Sequence, residues 1–364
     1  MATLPRLSRR RVAAVLIACS WVAAGLFGAF HYVHAYALYR GFPVPSTPAG
    51  VARGKVEQVS FRSGAIGRTS RYLVYLPPGY ANEAARGRRF PVLYLLHGYP
   101  GKMPVFVNVG AVHVAANVLL SQHKMPPSIL VMPGGKSGVL GADTEWANTP
   151  SGRWMDYVVD VVHDVDHRFA TRADRQHRGI AGDSEGAYGA VNLALHHLDL
   201  FSVLESWGGY FTETPTGVFA NASAATLRAN SPAAYVSSLA PQIRRLGLRA
   251  WLFQGRTDSQ DPALVTSFTD DLHRAGADVR LGFFPGGHDW GLFRAQTPRM
   301  LVAAGRWFEQ RPGGRPARYG HTGSSLSKAT LARIQARRHA RCLALPATAH
   351  IKGSCRRYRA SHGR

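Results

Sequence analysis

The spacing of apolar and polar positions changes several times along the chain. Residues 12–30 carry no charge, and apolar character continues less cleanly to residue 39. A helix of that length can cross a hydrocarbon core of about 30 Å. Residues 56–61 alternate between apolar and polar, which predicts a half-buried strand, and 71–76 predict another. Pro77-Pro78-Gly79-Tyr80 reads as a turn and residues 81–89 as a polar surface loop. Residues 90–96 are an unbroken apolar run, as a strand buried on both faces requires. A second buried strand is predicted at 128–132.

Helical spacing takes over at 112–120 and at 153–169. In the latter, Trp154, Tyr157, Val158, Val161, Val162 and Val165 share one broad face. Further strands are predicted at 177–182, 202–208, 249–254 and 279–284, and further helices at 186–197, 262–275 and 297–308. Residues 211–239 are rich in Ala, Thr and Ser with weak periodicity, and read as a lid or cap segment. Strands that alternate with helices imply an α/β class: a mostly parallel central sheet with helices on both faces. Here it is preceded by an N-terminal hydrophobic helix.

Composition changes the picture at the two ends. The 364 residues are 46% hydrophobic and 18% charged, with a formal net charge of +23. Such a balance points to an anionic partner. Arg6, Arg9, Arg10 and Arg11 precede the first apolar run, which is an export signature with the arginines held in the cytoplasm. An uncleaved signal anchor is favoured over a cleaved signal, because no clean A-x-A site follows. Ser8–Val12 also resembles a twin-arginine signal. Thirteen Lys and Arg residues and no acidic residue lie beyond position 310, so over half of the excess charge sits in a tail. That tail is expected to be a solvated basic extension or an attachment to anionic lipid or cell-wall polymer. It lacks the aromatic interleaving of a nucleic-acid binder. The three cysteines exclude a disulfide-dense scaffold, and Cys342 with Cys355 can pair if the chain is exported. The expected organisation is a basic N-terminus and anchor at 1–40, a linker at 41–55, a catalytic domain at 56–310 and a basic tail at 311–364.

Candidate chemistry centres on Gly182-Asp183-Ser184-Glu185-Gly186, a G-x-S-x-G pattern between a predicted strand and a predicted helix. A serine on so sharp a turn takes strained backbone angles, and the flanking glycines remove the Cβ atoms that would collide. In an open α/β sheet, functional groups collect in loops after the strands' C-terminal ends. Two such loops carry Asp258 and His288, giving the order Ser, Asp, His. Ser184 needs a base, His288 can take its proton, and Asp258 can hold the imidazole tautomer. Asp261 is the alternative acid, since either aspartate could instead cap the helix near Pro262. The oxyanion donors are expected to be the backbone N–H groups of Tyr99 and Glu185. His97 is expected to brace the oxyanion turn, and Asp289 to pair locally or cap a helix. The His163 and His167 pair and the His196-His197 pair lack a carboxylate pattern such as H-E-x-x-H, so no metal and no cofactor is expected.

Taken together, RYLVYLPPGY (71–80), PVLYLLHGYPG (91–101), RGIAGDSEGAYGAVNLAL (178–195), GRTDS (255–259) and PGGHDW (285–290) resemble the esterase-D-like esterase family of α/β-hydrolases. That family includes feruloyl esterases, S-formylglutathione hydrolases and secreted mycolyltransferases. The resemblance spans roughly residues 56–308. It implies the α/β-hydrolase fold, with nucleophile, acid and base on Ser184, Asp258 and His288 and oxyanion donors at Tyr99 and Glu185. Family members often carry Met after the nucleophile, where this chain has Glu185. Mycolyltransferases typically use Glu as the acid, so Asp258 resembles the esterase branch.

The expected function is a serine esterase, exported or membrane-anchored, that cleaves carboxylic esters through an acyl-enzyme on Ser184. The expected partners are an ester or acyl-lipid substrate and the membrane, with no nucleic acid. The alternative is an acyltransferase that moves an acyl group to a sugar or lipid hydroxyl. A third reading is a hydrolase-fold binding module without catalysis. Loops at 100–109, 136–154 and 211–239 are expected to shape the acceptor site.

Overall fold

The longest uninterrupted apolar runs build the centre of a sheet. In a computed structural model that describes residues 8–135 and 143–310, the strands β3 (Val92–Leu96), β4 (Ile129–Pro133) and β8 (Val203–Trp207) are buried at every position. So is β7 (Arg178–Asp183). Strands covered on both faces have no polar side to show, hence the continuous apolar sequence. The sheet has eight strands in the order β1-β2-β4-β3-β7-β8-β9-β10. Its first two, β1 (Lys55–Ser63) and β2 (Arg68–Leu76), run antiparallel, and β2 pairs antiparallel with β4. All later neighbours, including β9 (Arg249–Gly255) and β10 (Asp278–Phe284), are parallel. The expected α/β-hydrolase architecture, a mostly parallel sheet with helices, is therefore present. A separate two-stranded ladder joins β5 (Asn148–Thr149) to β6 (Gly152–Arg153).

Helix α5 (Trp154–Arg168) shows why its sequence pattern was informative. Val158, Val161, Val162 and Val165 have no exposed surface, and each such burial stabilises by about 1.5–3 kcal/mol. The other helices are α2 (Tyr80–Ala85), α3 (Val105–Asn108), α4 (Val112–Ser121), α6 (Glu185–His196), α7 (Ala224–Ala229), α8 (Pro232–Tyr235), α9 (Ala240–Leu246), α10 (Pro262–Ala275) and α11 (Trp290–Glu309).

Several local expectations are corrected. Residues 81–89 are not wholly a loop, because they begin with α2, which has no buried residue and so shows no apolar stripe. The last helix starts at Trp290 rather than near 297. Asp289 caps it by accepting from the Leu292 N–H at 3.1 Å, and Pro298 sits inside it. The segment 211–239 contains α7, α8 and two 3-10 turns, whose shortness hides their period. The later part of the expected linker is held rather than free. Asn117 on α4 accepts from the Gly54 N–H and donates to Thr47 Oγ1, both at 2.9 Å.

The chain divides into two units, Met1–Pro45 and Ser46–Arg364. Within the first, α1 (Arg9–Tyr39) is one helix of 31 residues. By length and composition its Arg10–Tyr39 stretch is able to cross a membrane. Its Trp21, Phe27, Phe30 and Tyr32 side chains are exposed. Residues 136–142 of the expected acceptor loop, the basic tail and the Cys342 and Cys355 pair lie outside the described residues.

Candidate active site

Ser184 stands between β7 and α6 with φ 55° and ψ −116°. Such angles cost a non-glycine residue about 1–3 kcal/mol, so the surroundings must impose them. The Ser184 N–H donates to the Trp207 carbonyl at 2.9 Å, which ties the turn to β8. The two glycines are required by space. A Cβ on Gly182 would lie 2.2 Å from the Gly186 carbonyl oxygen, and one on Gly186 would lie 1.9 Å from that of Leu96. The spacing in the sequence is thus the spacing of two backbone contacts.

The loops after β9 and β10 bring the other predicted residues to this turn. Ser184 Oγ lies 2.7 Å from His288 Nε2, and His288 Nδ1 lies 2.8 Å from Asp258 Oδ2. An ionised carboxylate only accepts, so Nδ1–H donates to Asp258 and Nε2 is left to accept from the Ser184 hydroxyl. The Asp258 side chain is 1% exposed and that of His288 is 23% exposed. The second Asp258 oxygen accepts from the Gln260 N–H at 2.7 Å, which stabilises the carboxylate in its buried position. Thr257 ties the two loops together, since its N–H and its hydroxyl both donate to the Gly286 carbonyl, at 3.0 and 2.9 Å. The two candidate acids separate cleanly. Asp261 accepts from the Ala263 N–H at 2.9 Å and caps α10, while Asp258 faces the imidazole.

His288 is also confined from behind. Gly208 has φ +70°, and a Cβ there would lie 3.1 Å from His288 Nδ1. The Phe293 ring meets the imidazole edge-on, with centroids 5.5 Å apart. Neither contact has a motif: Gly208 follows β8, which lies between β7 and β9, and Phe293 stands on α11 five residues after the histidine.

The turn after β3 closes the other side. A Cβ on Gly98 would lie 2.8 Å from the Ser184 Cβ, so this turn runs directly against the serine. Among the described residues, no hydrogen bond is donated by the Tyr99 or the Glu185 N–H. His97 braces the turn as expected. Its Nε2 accepts from the Gly135 N–H at 3.2 Å, which places the ring proton on Nδ1, 3.2 Å from the Gly98 carbonyl. Trp146 Nε1–H donates to the His97 carbonyl at 3.0 Å, and its ring meets the His97 ring edge-on.

Sequence reasoning singles out Glu185 as an unusual acidic neighbour of the serine but misses the acidic residues around it. Glu185 is buried, with Thr144 Oγ1 3.4 Å from its carboxyl. Glu145 accepts from the Tyr210 hydroxyl, and the Tyr210 ring stacks on Tyr188 at 5.1 Å. Burial, and then the charges of Asp143 and Glu145, push the Glu185 carboxyl well above the usual range. Glu145 is pushed up by burial and then by Glu213 and Asp143. Asp143 and Glu145 come from an aperiodic stretch some forty residues upstream of Glu185, so no local signal joins them.

The profile of the family described as "Putative esterase" matches residues 63–304, well over half of the chain. The chain belongs to this esterase family. Among curated relatives of this esterase-family chain is an endo-1,4-beta-xylanase/feruloyl esterase of Xylanibacter ruminicola. It is 30% identical over 173 residues, which are 45% of this chain and 23% of that protein. An esterase of Mycobacterium tuberculosis is 28% identical over 159 residues, covering 41% of this chain and 31% of the relative. The match thus spans only a quarter to a third of the length of these curated relatives. Among solved structures, a ferulic acid esterase superposes with a TM-score of 0.63 at 23% identity, covering 70% of this chain and 99% of that one. An S-formylglutathione hydrolase of Staphylococcus aureus gives 0.58 at 19% identity over 70% and 99%. These likenesses establish the fold.

Proposed function

We propose that this esterase-family chain is a membrane-anchored serine esterase that cleaves carboxylic esters through an acyl-enzyme. The observation that carries this reading is the continuous hydrogen-bonded path from Ser184 through His288 to buried Asp258. Ser184 Oγ attacks the ester carbonyl carbon while its proton passes to His288 Nε2. Asp258 stabilises the resulting imidazolium. The oxyanion is received by the N–H groups of Tyr99 and Glu185, each worth about 10²–10³ in rate. The carbonyl–oxygen bond to the alcohol then breaks, and His288 returns the proton to that alcohol. Water repeats the sequence on the acyl-enzyme and releases the acid. The family membership and the relatives named as feruloyl esterases support a carboxylic ester as substrate class.

The purified full chain in detergent should release p-nitrophenol from short-chain p-nitrophenyl esters, with free acid as the main acyl product when glycerol is added. A predominance of acylated glycerol would replace hydrolysis by acyl transfer.

The anchoring rests on α1, whose exposed apolar side chains follow a cluster of arginines. Arginines at the head of the helix favour a cytoplasmic N-terminus and an external catalytic unit. After alkaline carbonate extraction, the protein should stay in the membrane pellet with its N-terminus intact. A shortened chain in the soluble fraction would show a cleaved signal instead.

A further inference from the structure

The Glu185 N–H has a place in the proposed reaction, but its carboxyl has none. It lies in a buried site beside the stretch from Asp143 to Trp146, where it accepts from the Thr144 hydroxyl. That stretch is strained: Glu145 and Trp146 are consecutive non-glycine residues with φ of 48° and 49°. Left-handed angles at two bulky residues in succession persist only where contacts on several sides impose them. One side is supplied by Trp146, which has no exposed surface. Its side chain fills the space above two glycines, where a Cβ on Gly135 would lie 2.3 Å from the ring and one on Gly189 2.5 Å from the Trp146 Cβ. A second side is the hydrogen bond from Tyr210 to Glu145. The third is Glu185, whose carboxyl accepts from the Thr144 hydroxyl, with Oγ1 3.4 Å away.

We infer that Glu185 is a positioning residue, whose carboxyl holds the strained Asp143–Trp146 turn against α6 and, through Trp146, fixes the oxyanion turn. The inference rests on the esterase reading of the site. The path is short. Glu185 holds Thr144, and Trp146 is two residues further on. The Trp146 indole N–H then holds the His97 carbonyl, two residues before Tyr99. Thr144 adds a second path, since its hydroxyl also lies 3.4 Å from the Gly135 carbonyl, and the Gly135 N–H holds the His97 imidazole.

The role requires a protonated Glu185. Its side chain is buried, and Asp143 and Glu145 stand beside it. A second or third negative charge in that space would push the turn away. Asp143 accepts from the Glu145 N–H at 3.0 Å, which keeps its carboxyl group within the same turn. The Thr144 N–H favours the ionised form, but burial is the larger cause.

The full chain in detergent, Glu185→Gln and Glu185→Ala test this by infrared spectroscopy in heavy water and by steady-state kinetics. At neutral pH the parent should show carbonyl stretches of protonated carboxylic acids, and one component of them should be missing from the spectrum of Glu185→Gln, while the buried carboxyls of Glu145 and Glu205 keep theirs. Glutamine keeps the shape and a donor, whereas alanine keeps neither. The Gln variant should therefore exceed the Ala variant in kcat by roughly tenfold or more, with KM changing far less, because misplaced donors are felt in the transition state. If the Ala variant does not fold, as judged by circular dichroism, Thr144→Val takes its place with the same expected loss in kcat. A parent spectrum without the Glu185 band, or equal kcat in the Gln variant and the comparison variant, would overturn the inference. The infrared band does not depend on catalysis, so a failure of the esterase reading leaves it standing.

Discussion

Replacing Ser184 by alanine is expected to lower kcat on a short-chain p-nitrophenyl ester by about 10⁴-fold or more. In a serine hydrolase the nucleophile and base act as a unit, and removing either costs about 10⁶ in kcat, leaving only the residual catalysis of the oxyanion donors. The structure gives reason to expect an intact protein. Alanine fits where serine does, and the turn is held by the Ser184 N–H to Trp207 and by the glycine contacts at 182 and 186 rather than by the hydroxyl. Thermal stability should therefore stay close to that of the parent while activity collapses. A Ser184→Ala protein that kept more than a tenth of the parent activity would move the chemistry to another residue.

The second large effect separates the two candidate acids. Asp258→Asn should lower kcat by about 10⁴, because the amide presents a donor to Nδ1 and favours the wrong imidazole tautomer. Its shape is nearly unchanged, and the Gln260 N–H still finds an acceptor, so folding should survive. Asp261→Asn should leave kcat within about twofold. Its carboxylate caps α10 from 2.9 Å, and asparagine caps nearly as well, so even stability should change by well under about 1 kcal/mol. Kinetics of both variants beside their melting curves decide the matter. Loss of activity confined to Asp261→Asn would exchange the two roles.

Much of this site was legible because its parts obey strong local rules. Ser184 is flanked by glycines that backbone contacts demand, and it falls where the apolar period changes from strand to helix. Asp258 and His288 follow apolar runs in β9 and β10, so sheet topology alone delivers them to the same end. The choice of Asp258 over Asp261 rested on the resemblance carried by GRTDS rather than on spacing, since both precede Pro262 and either could cap a helix; the loop geometry sets Asp258 against His288 and Asp261 at the start of α10. The start of α11 was hidden by Pro298, which suggests a first turn but lies within the helix. The surroundings of Glu185 were the least legible. Its partners Asp143, Thr144 and Trp146 belong to a turn without periodicity, and Gly208 presses on His288 only because β8 separates β7 from β9. Tertiary contacts of that kind leave no trace in spacing.

The central claim is that Ser184 is the activated nucleophile. The most direct measurement is covalent labelling of the full chain with a fluorophosphonate probe, followed by peptide mapping. Labelling on the peptide that contains Ser184, absent in Ser184→Ala and strongly slowed in His288→Ala, is the result expected. A folded chain that stays unlabelled, or that carries the probe on a different residue, would contradict it.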